Sequence, residues 1–172
     1  MDHPSDPAAH LAPEPTLRDL TTRECWEHLA RQPVGRLACV LGGRAVLLPL
    51  NHRVHDRAVW FRTASWSRLG VHLPGLEVVF EVDDADPRTR SGWSVVARGT
   101  TEHVLTGVPG SPGAEDHGDP APWPGGPRTM LFRLVPTELT GRLLRPAAVV
   151  APVGVRPGSV QRDPGHVAVA PR

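Results

Sequence analysis

The stretch VGRLACVLGGRAVLLPL, Val34 to Leu50, constrains the fold more than any other. Two apolar runs of strand character meet at Gly42–Gly43, and a two-residue glycine turn joins antiparallel neighbours. The pattern then repeats. HDR turns the chain into AVWFRT, and a short helix, roughly Ser65 to Leu73, leads into LEVVFEVD. The polar DADPRTRSG precedes WSVVARGTTEHVL, and RTMLFRLVPTELTGRLL supplies a last strand. No segment has the length of the crossover helices that parallel sheets require. About six antiparallel strands with short helices describe a small barrel. Pro49 lies inside a strand and cannot donate to a ladder, so it marks an edge or a bulge.

A helix precedes the strands. TTRE is a capping box, with Thr21 capping and Glu24 reaching back to its amide. ECWEHLARQ then presents Cys25, Trp26 and Leu29 as one apolar stripe and stops before Pro33. The barrel is expected over residues 19–145, interrupted by a Gly/Pro/acidic insert at 107–127. Residues 1–18 read as a disordered arm and 146–172 as a flexible tail, because both are rich in Pro and small residues with few apolar anchors.

Composition removes several functions. Of 172 residues, 22% are charged and the formal net charge is +1, so nothing general attracts nucleic acid or acidic membranes. No apolar run spans a bilayer and the N-terminus lacks a signal-peptide pattern, so a soluble cytoplasmic protein is expected. Cys25 and Cys39 form no paired motif and read as buried thiols. HExxH, CxxC, GxSxG, P-loop and Rossmann patterns are absent, and DDADPRTR lacks the glycine and final Glu of a calcium loop. No metal site is expected.

The sequence has no Lys, Tyr or Ile and a single Asn, Asn51. A GC-rich genome is the simplest cause, and every fixed cation is then an Arg.

The chemistry gathers in VWFRTASWSRL, Val59 to Leu69. A strand ending in Arg62 and Thr63 turns at once into a helix opening with Ser67 and Arg68. Guanidinium forks, hydroxyls and helix-start amides are the donors that phosphate takes. The same residues also suit structural roles: Ser65 as an N-cap, Arg62 paired with Glu81 or Asp83, and Arg68 in solvent.

ECWEHL…PVGRLACVLGGRAVLLPLNHRV, VWFRTASWSRL, VVFEVDDADPRTRSGWSVVARG and PAPWPGG…FRLVPTELTGR, in that order, resemble the pyridoxamine 5'-phosphate oxidase-like family of split β-barrels that bind FMN. The blocks cover roughly Thr21 to Arg142 and look nearest to small actinobacterial members similar to nitroimidazole-resistance flavoproteins. The resemblance implies that Arg62, Thr63, Ser67 and Arg68 hold the FMN phosphate, with Arg68 where many relatives have Lys. It implies that Pro49, Leu50 and Asn51 run along the isoalloxazine ring, Asn51 otherwise closing a bulge. Trp93 and Ser94 fall at flavin-contacting positions of the oxidases, though Trp93 equally suits a barrel or dimer anchor. Trp66 stands where relatives usually have Gly, and Leu69 where the oxidases place another Lys. Trp66 and Trp123 are lid candidates.

The function so implied is an FMN-dependent oxidoreductase working as a homodimer on a small organic substrate, of nitro-compound or quinone type. The alternatives are the deazaflavin F420 on the same barrel, or a non-catalytic module binding flavin or haem. No residue offers itself as catalytic acid or base, which suits chemistry carried by a cofactor.

Overall fold

The computed structural model describes residues 15–105, 120 and 122–146. The N-terminal arm up to residue 14, residues 106–119 and 121 in and beside the insert, and the tail from 147 onward lie outside the described residues.

The strands are β1 (Thr16–Asp19), β2 (Val34–Leu41), β3 (Arg44–His55), β4 (Ala58–Thr63), β5 (Glu77–Asp86), β6 (Ser91–Val104) and β7 (Met130–Arg145). The helices are α1 (Thr22–Arg31) and α2 (Arg68–His72). All pairings are antiparallel, in the order β1-β7-β4-β3-β2-β5-β6, and β6 pairs again with β7. That last pairing closes β2 to β7 into a six-stranded split barrel, the expected class.

β1 corrects the expected arm boundary at residue 18. β4 pairs with β7 only over Met130–Leu134, which leaves the far end of that edge open. Thr16–Asp19 fill it against Arg142–Arg145. Arg18 then forks onto Glu24 at 2.8 and 3.1 Å, tying β1 to α1.

Alternation along the strands selects the interior. Leu37, Cys39 and Leu41 of β2, Val78, Phe80 and Val82 of β5, Val95 and Ala97 of β6, and Phe61 and Phe132 form one core. α1 caps it with Cys25 and Leu29, and its capping box at Thr21 and Glu24 is present. Both thiols are free and buried, and desolvation pushes both above the usual range. Among the described residues, no helix is long and apolar enough to cross a membrane.

β3 is the strand that opens the barrel. Its residues 44–51 pair with β2 and its residues 52–55 with β4, so it changes neighbour at Asn51–His52. The His52 N–H donates to Pro33 O at 3.2 Å, which fixes the alternation: Gly35/Leu50 is a hydrogen-bonded pair and Arg36/Pro49 is not. The position without an N–H therefore faces the edge that β4 leaves unpaired. Pro49 is an edge residue, as expected, and the unbroken register shows no bulge for Asn51 to close.

Candidate functional site

Where β3 and β4 separate, a cleft of about 570 Å³ opens. Leu48, Pro49, Leu50 and Asn51 line it from the open edge of β3. Arg62, Thr63, Ala64, Trp66, Ser67 and Leu69 come from the β4–α2 connection, and Pro122 to Gly125 with Arg128 from the segment before β7. Of the residues expected in the site, Pro49, Leu50, Asn51, Arg62, Thr63, Ser67, Trp66 and Trp123 converge here. Arg68, Trp93 and Ser94 do not.

The seam is built by one hydroxyl. Ser67, not Ser65, caps α2: its Oγ accepts from the Gly70 N–H at 2.9 Å and donates to Ala64 O at 2.8 Å. Since that donation uses its one proton, the 3.1 Å contact with Thr63 Oγ1 has Thr63 donating. Glycine is required at 70 because a Cβ there would lie 2.4 Å from Ala64 O. The Thr63 proton is the one that can turn to an anion without undoing the cap.

Arg62 is half-buried and its Nη1 donates to Thr129 O at 3.4 Å. It does not pair with Glu81 or Asp83, because Arg36 takes both, at 2.8 and 2.6 Å. Arg68 is exposed, and its Nη2 stands 3.8 Å from where a Cβ on Gly42 would be, so it leans towards the β2–β3 turn. A residue that sequence reasoning missed is Arg128. Its Nη1 collects the carbonyls of Pro124, Gly125 and Gly126 at 3.1, 2.9 and 3.4 Å. The available signal was an Arg directly after PWPGGP, where close-set carbonyls need a donor.

Asn51 is a tie rather than a free amide. Its Nδ2 donates to Pro33 O at 3.3 Å, and its Oδ1 accepts from the Trp123 N–H at 2.9 Å. Below it His52 is 2% exposed, and Nε2–H donates to Leu29 O at 2.9 Å. Its Nδ1 is buried without a partner, and desolvation lowers its pKa, so the ring is neutral.

Arg62 and Arg128 line the cleft, and among the described residues no Asp or Glu does. The depression that holds Ser94, about 600 Å³, contrasts with it: Arg98 meets Glu138 at 3.7 Å and Arg142 meets Asp19 at 4.0 Å, so its charges answer one another. Trp93 lies in a third depression and packs on the His28 ring, centroids 4.3 Å apart, as an anchor for α1. Leu143 and Arg142, the β7 partners of Trp93 and Ser94, stand at the opposite end of that strand from Met130, the partner of Thr63. One chain cannot bring them into the cleft. No group of three or more His, Cys, Asp or Glu suited to a metal exists among the described residues.

An anion held at the seam with a flat apolar body along β3 is what this cleft can take, and comparison with known proteins agrees with the fold. The solved structure of the FAD-binding protein from Mycobacterium smegmatis, 30% identical, superposes with a TM-score of 0.59 over 76% of this chain and all of that one. An FAD-binding protein from Mesorhizobium loti, 23% identical, superposes at 0.59 over 76% of this chain and 98% of its own. An uncharacterised protein of Mycobacterium tuberculosis is 34% identical over 91 residues, half of this chain and 60% of that relative's length. The profile of the pyridoxamine 5'-phosphate oxidase family matches residues 21–143, and the chain belongs to that family.

Proposed function

We propose that the cleft binds FMN and that the protein is an oxidoreductase acting through it on a small organic molecule, of nitro-compound or quinone type. The observation that carries this reading is a cleft in which two guanidinium groups and an apolar wall meet a strand edge that no described strand pairs. The residues fit the cofactor. The Arg62 guanidinium lines the cleft as a charge-assisted donor for a phosphate, with the Thr63 hydroxyl beside it. Leu48, Pro49 and Leu50 provide an apolar surface for a ring system, and backbone groups on the open edge of β3 are placed for its polar rim. A bound flavin would supply hydride or electron transfer, which side chains cannot. The chain's own part is to hold, orient and desolvate.

The working unit in this reading is a homodimer. Val40, Leu47 and Leu48 are exposed apolar residues on β2 and β3, the kind of surface that a second copy covers. Trp93 and Ser94, which cannot reach their own cleft, would then contact the flavin of the partner. A second reading, FAD in place of FMN, draws on Arg128, which gives the cleft a second cation for a second phosphate.

The test is reconstitution. The purified chain is incubated with FMN or FAD, washed, and examined by visible spectrum and mass of the released flavin. Retained FMN near one per chain is expected, bleached by a chemical reductant and recovered on adding menadione. Arg62→Ala should weaken retention by about 10- to 100-fold, the size of a lost charge-assisted hydrogen bond. Arg68→Ala should weaken it far less, since Arg68 lies outside the cleft. A chain that keeps neither flavin refutes the reading.

A further inference from the structure

We propose that Trp66 and Trp123 form a second subsite at the rim of the cleft, which takes a flat, electron-poor aromatic molecule by ring stacking. The proposal rests on the flavin reading, in which this molecule is the reaction partner, but its geometry is separate. Both indoles line the cleft from different segments, and they are 68% and 73% exposed. Trp26 and Trp93 are half-buried against the core, and Trp60 is buried with its Nε1–H donating to His55 O.

Exposed indoles on slack loops would mean little. These two are held. The Trp123 N–H is fixed on Asn51, Arg128 gathers the three carbonyls that follow, and Arg62 holds Thr129 O. Pro122 and Pro124 flank Trp123 and restrict its backbone further. Trp66 sits between Ala64 and Ser67, whose contacts close the turn: the Ser67 N–H donates to Ala64 O at 3.1 Å and its hydroxyl at 2.8 Å. Neither indole helps to fill the core. Each is a large apolar plate lining the cleft on backbone that is set before any ligand arrives, so little backbone ordering is left for binding to oppose. The electron-rich indole face favours a ring poor in electrons, at offset-stacking distance.

The experiment titrates 1,4-naphthoquinone into the oxidised, flavin-loaded protein by calorimetry. No electrons are present to drive turnover, so binding alone is read. Trp66→Ala and Trp123→Ala should each raise Kd by about tenfold, in the range of a lost aromatic pair with its buried area. Trp123→Phe should recover most of the loss, while flavin retention and elution volume stay those of the parent. Absent binding to the parent, or an unchanged Kd in both alanine variants, overturns the proposal. So does weaker flavin retention, which would make the indoles part of the cofactor site (for FAD alone, its adenine). A changed oligomer mass overturns it too, by assigning them to a subunit interface. If the parent keeps no flavin, the titration is repeated on the bare chain. Tryptophan-dependent binding there upholds the subsite although the flavin reading has failed, and its absence ends both.

Discussion

The two halves of β3 are one strand under two regimes. His52–His55 pair with β4, and on their other side the end of α1 closes in: the His52 N–H and Nε2–H are both taken, by Pro33 O and Leu29 O. Among the described residues, 44–51 pair with β2 alone, and Ala45, Leu47, Leu48 and Pro49 are exposed although apolar. Burial explains the first half as part of the barrel. It does not explain the second. Apolar surface left uncovered beside an unpaired edge serves a ligand or a partner, and the cleft lies there. The lesson is that folding and binding divide at Asn51, which bonds to Pro33 on one side and to the Trp123 segment on the other.

Breaking the folded side should have the largest effect. Phe80 is fully buried and stands edge-on to His52, ring centroids 5.0 Å apart. Phe80→Ala should lower stability by about 3–5 kcal/mol, measured by urea unfolding. A loss below about 1 kcal/mol, the size of a typical surface change, would show that this half is not the structural one.

How much of this was legible in the sequence follows the same division. The Gly42–Gly43 turn, the capping box and the edge placement of Pro49 are local rules, and the structure has all three. The convergence of Asn51, Arg62, Thr63, Ser67, Trp66 and Trp123 was implied by the family resemblance rather than by any local rule, and the structure brings all six to one cleft. β1 was not, since four residues without a turn signal depend on the edge that β4 leaves free. Neither was the direction of Arg68: a long exposed side chain has no sequence rule for where it leans. Trp93 and Ser94 resembled site residues by position in the chain, yet register sets them at the far end of β6.

A pH series sharpens the comparison more gently. The unfolded His52 has an ordinary pKa near 6.5, and burial lowers it in the folded state. Below about pH 6.5 the unfolded chain therefore binds a proton that the folded one refuses, so stability is present above that pH and lost on acidification. The loss cannot exceed about 1.4 kcal/mol per pH unit for one such group. Half-buried His28 is shifted in the same direction, chiefly by desolvation, and adds to the trend. His52→Gln keeps a donor for Leu29 O and removes the titration, so unfolding midpoints at pH 8 and pH 5 should differ less than in the parent. An equal difference would assign the acid sensitivity elsewhere.

The smallest effect expected is a gain. β3 begins after a turn with φ of 58° and 74° at Gly42 and Gly43, and ends in one with 48° and 54° at Asp56 and Arg57. Both turns have the left-handed geometry that suits strand twist, but only the first has glycine to adopt it without strain. Asp56 tolerates that region as a short polar residue, whereas Arg57 has no such excuse and is exposed. Arg57→Gly relieves the strain while loosening the unfolded chain, so the two terms partly cancel and a net gain of about 0.5 kcal/mol is expected. Because this turn closes the β3–β4 hairpin away from the cleft, the gain should come with flavin retention unchanged. A loss of stability would mean that the Arg57 side chain contributes more than its backbone conformation costs. A change in flavin retention would mean that the two halves of β3 are mechanically coupled, and that the division at Asn51 is not a boundary between independent parts.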